Sequence, residues 1–228
     1  AGGSSGGSGA MVAAGAVPMA HANDGGGSTR IPAGINGLVG LKCSRGRVSL
    51  APIYTELSGF LISELAVTRS VRDTAALLDA VHGDTPGEAF ATRPPLRPYS
   101  EEVLDPPKNL KVAFAPGPGL ARPLDPEVSA AVRSTASLCE SLGHTVEEAT
   151  PEIDADEFSE AFGCLWALDA VAGLDAASRL TGRPVDGDFV EKMTQVIYAF
   201  GKAKSSTAYI EALGVVDQVM RSVGAFFE

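Results

Sequence analysis

Gly2-Gly3-Ser4-Ser5-Gly6-Gly7-Ser8 and Asn23-Asp24-Gly25-Gly26-Gly27-Ser28-Thr29-Arg30-Ile31-Pro32-Ala33 are the two stretches that decide how this chain is read. Alone, the first has the composition of a flexible linker. The second does not. Three glycines ahead of a serine leave a backbone that an acyl group can approach without meeting a Cβ. The N–H groups of Gly25, Gly26 and Gly27 can converge on one point, as an oxyanion hole requires. Ser28, at the end of that turn, is placed to attack a carbonyl carbon.

A serine nucleophile needs a base. The histidines His21, His82 and His144 sit in no recognisable triad motif. A Ser-Ser-Lys relay is the alternative, in which an unprotonated lysine takes the proton through a bridging serine. Here the chain resembles the amidase signature family. That family carries a Gly-Gly-Ser-Ser-Gly-Gly-Ser block, then Gly-Gly-Ser-x-Arg-x-Pro-Ala, then Gly-x-x-Gly-Leu-Lys. This sequence has Gly2 to Ser8, Gly26 to Ala33 and Gly37-Leu38-Val39-Gly40-Leu41-Lys42. Arg45-Gly46-Arg47-Val48-Ser49 and Arg69-Ser70-Val71-Arg72-Asp73 continue the likeness. It is strong over about residues 1–83 and unspecific beyond.

The resemblance implies that Ser28 is the nucleophile and Ser4 the bridging serine, which in the family sits on a cis peptide bond. Gly25, Gly26 and Gly27 match the oxyanion-binding segment, and Asp24 and Arg30 match positions that brace the loop. The family lysine lies upstream of the first block, so it is expected before residue 1. Lys42 belongs to the Gly-Leu-Lys block and is not that base. The isolated 228-residue chain is therefore expected to be inactive or nearly so. Cys43 stands where the family usually has Pro, and Leu65-Ala66 where Gly-Pro is common. The implied fold is α/β, an α/β/α sandwich with a mixed central sheet, truncated. Residues 1–150 would form the sheet-bearing core and 151–228 a mainly helical substrate-cleft segment.

Composition agrees with a packed protein: 45% hydrophobic and 20% charged residues. A net charge of −10 argues against nucleic acid as a partner, and weakly against anionic lipid. No unbroken apolar run reaches membrane-spanning length, so no membrane partner is expected. Cys43, Cys139 and Cys164 show no metal spacing and read as apolar fillers in a reducing, cytoplasmic setting. No metal or organic cofactor is implied, and a homodimer is the oligomeric form kept open.

Local patterns place the elements. Over half of the 26 glycines lie in residues 1–60. Met11–Ala16 reads as helix, Val17–Ala20 as a short buried strand, and Val48–Leu50 as another. Ile31–Leu41 reads as close backbone approach more than a regular element. Ser70 and Asp73 form a capping box for a helix with a face of Ala76, Leu77, Ala80 and Val81. Lys111–Ala115 reads as a core strand. Asp125-Pro126 opens a helix that buries Val128, Ala131, Val132, Thr135, Leu138 and Leu142. Gly143 stops it, and a strand starts at His144. Helices follow from Glu157, broken at Gly182-Arg183-Pro184 and near Gly201. Trp166 with Phe158, Phe162 and Leu165 reads as core at helical spacing, with the substrate pocket as the alternative. Ser5 and Ser8 read as capping or loop-bonding residues.

Three functions fit. The first is an amidohydrolase opening a linear or cyclic carboxamide of a small molecule. The second is the glutaminase subunit of a tRNA-dependent amidotransferase, which usually carries Gln where this chain has Ile31. The third is a non-catalytic scaffold.

Overall fold

The computed structural model describes residues 2–55, 61–115 and 124–228, which fall into two compact units, Ala1–Pro106 and Pro107–Glu228. The first unit contains α1 (Gly6–Ala13), β1 (Met19–Asp24), α2 (Arg30–Asn36), β2 (Val39–Gly40), β3 (Ser63–Thr68), α3 (Val71–Val81) and α4 (Tyr99–Glu102).

Its strands form an antiparallel sheet in the order β1-β3-β2. β3 takes the centre because Leu65, Ala66, Val67 and Thr68 are buried on both faces. On one face Ala22 and Val67 pack against Val12 of α1 and Ala33 of α2. On the other, the Thr68 hydroxyl meets that of Thr74 on α3 at 2.7 Å. The unit is thus layered helix, sheet, helix. The β1–β3 register runs from Met19 opposite Thr68 to Asp24 opposite Ser63.

Ser70 caps α3 by accepting the Asp73 N–H at 3.1 Å, as its capping box predicts. The buried face of α3 is Thr74, Ala75 and Leu78, rotated from the expected one. Leu77 and Val81 instead line an open cleft of about 680 Å³ with Met19, His21 and Tyr54. Asp79 ties α4 to α3 by accepting the N–H groups of Tyr99 and Ser100 at 2.6 and 2.9 Å. Two further expectations are corrected. Ile31–Leu41 forms regular elements, α2 and β2, because Gly37 takes φ +65° and lets the chain turn from helix into strand. Val48–Leu50 makes only a single bridge, Val48 to His82.

The second unit contains β4 (Lys111–Phe114), α5 (Pro126–Ser141), β5 (Thr145–Glu148), α6 (Ala155–Thr181), α7 (Lys192–Lys202) and α8 (Ser206–Phe226). β4 and β5 pair in parallel and α5 connects them, the strand–helix–strand order read from sequence. Asp125 caps α5 by accepting the Glu127 N–H at 2.8 Å. Burial departs from expectation. No residue of α5 is buried among those described, and Leu138 and Leu142 are 57% and 67% exposed. β4 is likewise half-exposed, not core. A two-stranded sheet offers too little surface to cover an apolar stripe.

α6 packs on α7 and α8, burying Ala161, Cys164, Leu165 and Ala167. By length and composition alone it could cross a membrane, with a mean hydropathy of 1.2 over 18 residues. Of the four residues expected in the core, Leu165 is buried, whereas Trp166 stacks on Phe162 at 5.6 Å between centroids and stays 38% exposed. α6 ends at Gly182 in the left-handed region. Gly201 stands one residue before the expected break, which runs from the end of α7 at Lys202 to the start of α8 at Ser206. It lies within α7 at the crossing with α6, where a Cβ would sit 2.4 Å from the Ala167 carbonyl oxygen. Gly201→Ala must therefore separate the two helices. It should cost about 1–3 kcal/mol in urea unfolding, read as a lower midpoint with an unchanged slope.

Candidate functional site

β1 ends at Asp24, and the chain turns through Gly25, Gly26 and Gly27 to Ser28 before α2 begins at Arg30. Asp24 is fully buried. Its Oδ1 accepts the Gly27 N–H at 2.7 Å and Arg30 Nη2 at 2.8 Å. Its Oδ2 accepts Arg30 Nε at 2.8 Å and the N–H groups of Thr29 and Arg30, each at 3.2 Å. Burial alone would raise this carboxyl. The Arg30 fork and the amides of Gly27 and Arg30 outweigh burial and hold it at about 2. The same carboxylate raises the Arg30 guanidinium.

The turn needs glycine at position 27. Its φ is +117°, and a Cβ there would lie 2.6 Å from Ile31 Cδ1. The Ile31 side chain also reaches Gly2, so one apolar group touches both glycine blocks. The Gly27 N–H is committed to Asp24. That leaves the amides of Gly25 and Gly26, from the expected oxyanion segment, without this internal partner.

The Ser4 block is brought to the same place. The Ser5 N–H donates to the Ser28 carbonyl at 3.2 Å. The Gly3–Ser4 peptide is cis. α1 starts two residues later, and Ser8 Oγ donates to the His21 carbonyl of β1 at 2.6 Å. Ser4 is exposed and Ser28 half-buried. Among the described residues no hydrogen bond joins the Ser4 and Ser28 hydroxyls to each other.

Sequence reasoning missed two contributors. Thr29 is only 1% exposed and gives its amide N–H to Asp24. Lys42 donates to the Leu61 carbonyl at 2.9 Å and to Ser63 Oγ at 3.2 Å, and Ser63 faces Asp24 across the sheet. The signal for Thr29 was its place between Ser28 and Arg30 in the second glycine block. Lys42 stood in the third family block, but its bonding was illegible because its partners lie about twenty residues away. Among the described residues no group of three His, Cys, Asp or Glu side chains could hold a metal.

The amidase family model matches residues 1–228. The 6-aminohexanoate-cyclic-dimer hydrolase of Paenarthrobacter ureafaciens is 42% identical over 194 residues, 83% of this chain and 39% of that protein. A solved 6-aminohexanoate cyclic dimer hydrolase complexed with substrate superposes with a TM-score of 0.90 at 35% identity, over 99% of this chain and 48% of that one. A bacterial aryl acylamidase of the amidase signature enzymes superposes at 0.84 with 25% identity, over 98% and 47%. The chain thus spans less than half the length of these relatives.

The depressed Asp24 carboxyl sets a pH dependence. Above pH about 4 it is ionised folded and unfolded, and its full contribution of roughly 2 kcal/mol is present. That contribution is lost as pH falls from about 4 through about 2. Asp24→Asn should lower stability at pH 7 and flatten this acid limb, as measured by urea unfolding across the pH series.

Proposed function

Because the chain belongs to the amidase family, we propose that it carries the nucleophile side of an amidohydrolase site. Ser28 Oγ attacks the carbon of a carboxamide. A C–O bond forms and the carbonyl electrons move to its oxygen, which accepts hydrogen bonds from the Gly25 and Gly26 amides. The Ser28 proton passes to Ser4 and on to an unprotonated lysine, which the family resemblance puts before residue 1. Collapse of the tetrahedral intermediate breaks the C–N bond, and the proton returns to the leaving amine. Water then attacks the acyl-enzyme along the same proton path and releases a carboxylate. Asp24 and Arg30 do not touch substrate. They hold the turn that aims the amides.

The observation that carries this reading is the Ser5–Ser28 backbone hydrogen bond, which joins the two serine blocks beside a turn fixed by a buried carboxylate. The substrate class is a small carboxamide, linear or cyclic. The names of the relatives support amides of both kinds.

The test uses the protein encoded by the complete reading frame, assayed on a panel of linear and cyclic amides and labelled with a fluorophosphonate. Wild type should label at Ser28. Ser28→Ala should lose both labelling and turnover, and Ser4→Ala should lose about a hundredfold or more in kcat. Full turnover by Ser28→Ala would reject the nucleophile assignment.

A further inference from the structure

Lys42 lies two residues beyond β2, at the start of the long connection to β3. Its two hydrogen bonds, to the Leu61 carbonyl at 2.9 Å and to Ser63 Oγ at 3.2 Å, reach the other end of that connection. One side chain therefore closes it. Ser63 is buried and is the first residue of β3, directly opposite Asp24. Behind the Ser28 turn, Gly40 lies against the start of α2. A Cβ there would sit 3.0 Å from the Thr29 carbonyl oxygen and 2.6 Å from Ala33 Cβ. The segment from Gly40 to Lys42 thus passes behind the turn and is fastened to β3 at the Asp24 level. Burial holds the Lys42 ammonium below its usual range, and the charge of Asp24 opposes that shift. A half-buried cation is costly to keep unless its bonds are needed.

We infer that Lys42 is a positioning residue for the Ser28 turn. Its ammonium, bonded to Leu61 and Ser63, fixes the start of β3, which pairs with the end of β1 where Asp24 organises the nucleophile loop. A loop that drifts by about 1 Å misaims both the serine and the oxyanion amides, an error that costs rate more than binding. The inference rests on Ser28 being the nucleophile.

The experiment compares Lys42→Met, Lys42→Arg and Ser63→Ala in the protein encoded by the complete reading frame. Methionine keeps the apolar stem and removes the donors, whereas arginine keeps charge and donors. Lys42→Met should lose about tenfold or more in kcat and in the rate of Ser28 fluorophosphonate labelling, with KM within about twofold. Circular dichroism at the assay temperature should remain native. Lys42→Arg should recover about a third or more of the wild-type kcat. Ser63→Ala, which leaves the Leu61 bond intact, should fall between Lys42→Met and wild type and serves if Lys42→Met does not fold. The role is overturned if Lys42→Met and Ser63→Ala both match wild type, or if their loss follows only the folded fraction. It is also overturned if KM rises while kcat holds. Failure of the underlying reading shows separately, as labelling and turnover that survive Ser28→Ala.

Discussion

A single buried carboxylate organises the first unit. Asp24 leaves water completely, and an ion so placed is tolerated only when its oxygens are filled with donors. Those donors come from within six residues: three backbone amides of the following turn and the two-pronged Arg30 guanidinium. The turn cannot open without stranding the charge. Arg30 keeps part of its side chain in solvent, which lowers the cost of the pair while its planar fork holds both carboxylate oxygens. The Ser28 loop is rigid because a charge would be orphaned if it moved.

The Ser4 block depends on that turn indirectly. Ser4 lies just ahead of α1, and what brings it near is the packing of α1 against β1 and α2. Ser8 bonds the His21 carbonyl, Ser5 bonds Ser28, and Gly9 lies against Pro32 and Asn36. Small residues are needed along this seam because two backbones approach closely there. The glycine block that looks like a linker is a packing surface.

The second unit follows other rules. α6 and α7 cross closely at Gly201 and Ala167, and the Tyr198 hydroxyl bonds Asp175 at 2.6 Å across the same pair of helices. The strand–helix–strand segment ahead of them keeps its hydrogen-bonded geometry with little burial. Local signals therefore sufficed to form these elements. The apolar stripe of α5 and the Phe162–Trp166 ladder show how far an apolar pattern can outrun the burial it receives.

What the sequence determined by itself was local or motif-borne. The caps at Ser70 and Asp125, the helix stop at Gly182, the strand–helix–strand order around α5 and the family membership were legible because each is written within a few residues or in ordered blocks. Tertiary structure alone decided which apolar faces are covered, that residues 31–41 form a helix and a strand, and that Gly201 sits where α6 and α7 cross. It alone joined Ser5 to Ser28 and Lys42 to Ser63. Capping and turn chemistry act between neighbours along the chain, so the pattern displays them. Burial and hydrogen bonding between distant residues depend on which surfaces meet, and no short stretch of sequence contains both partners.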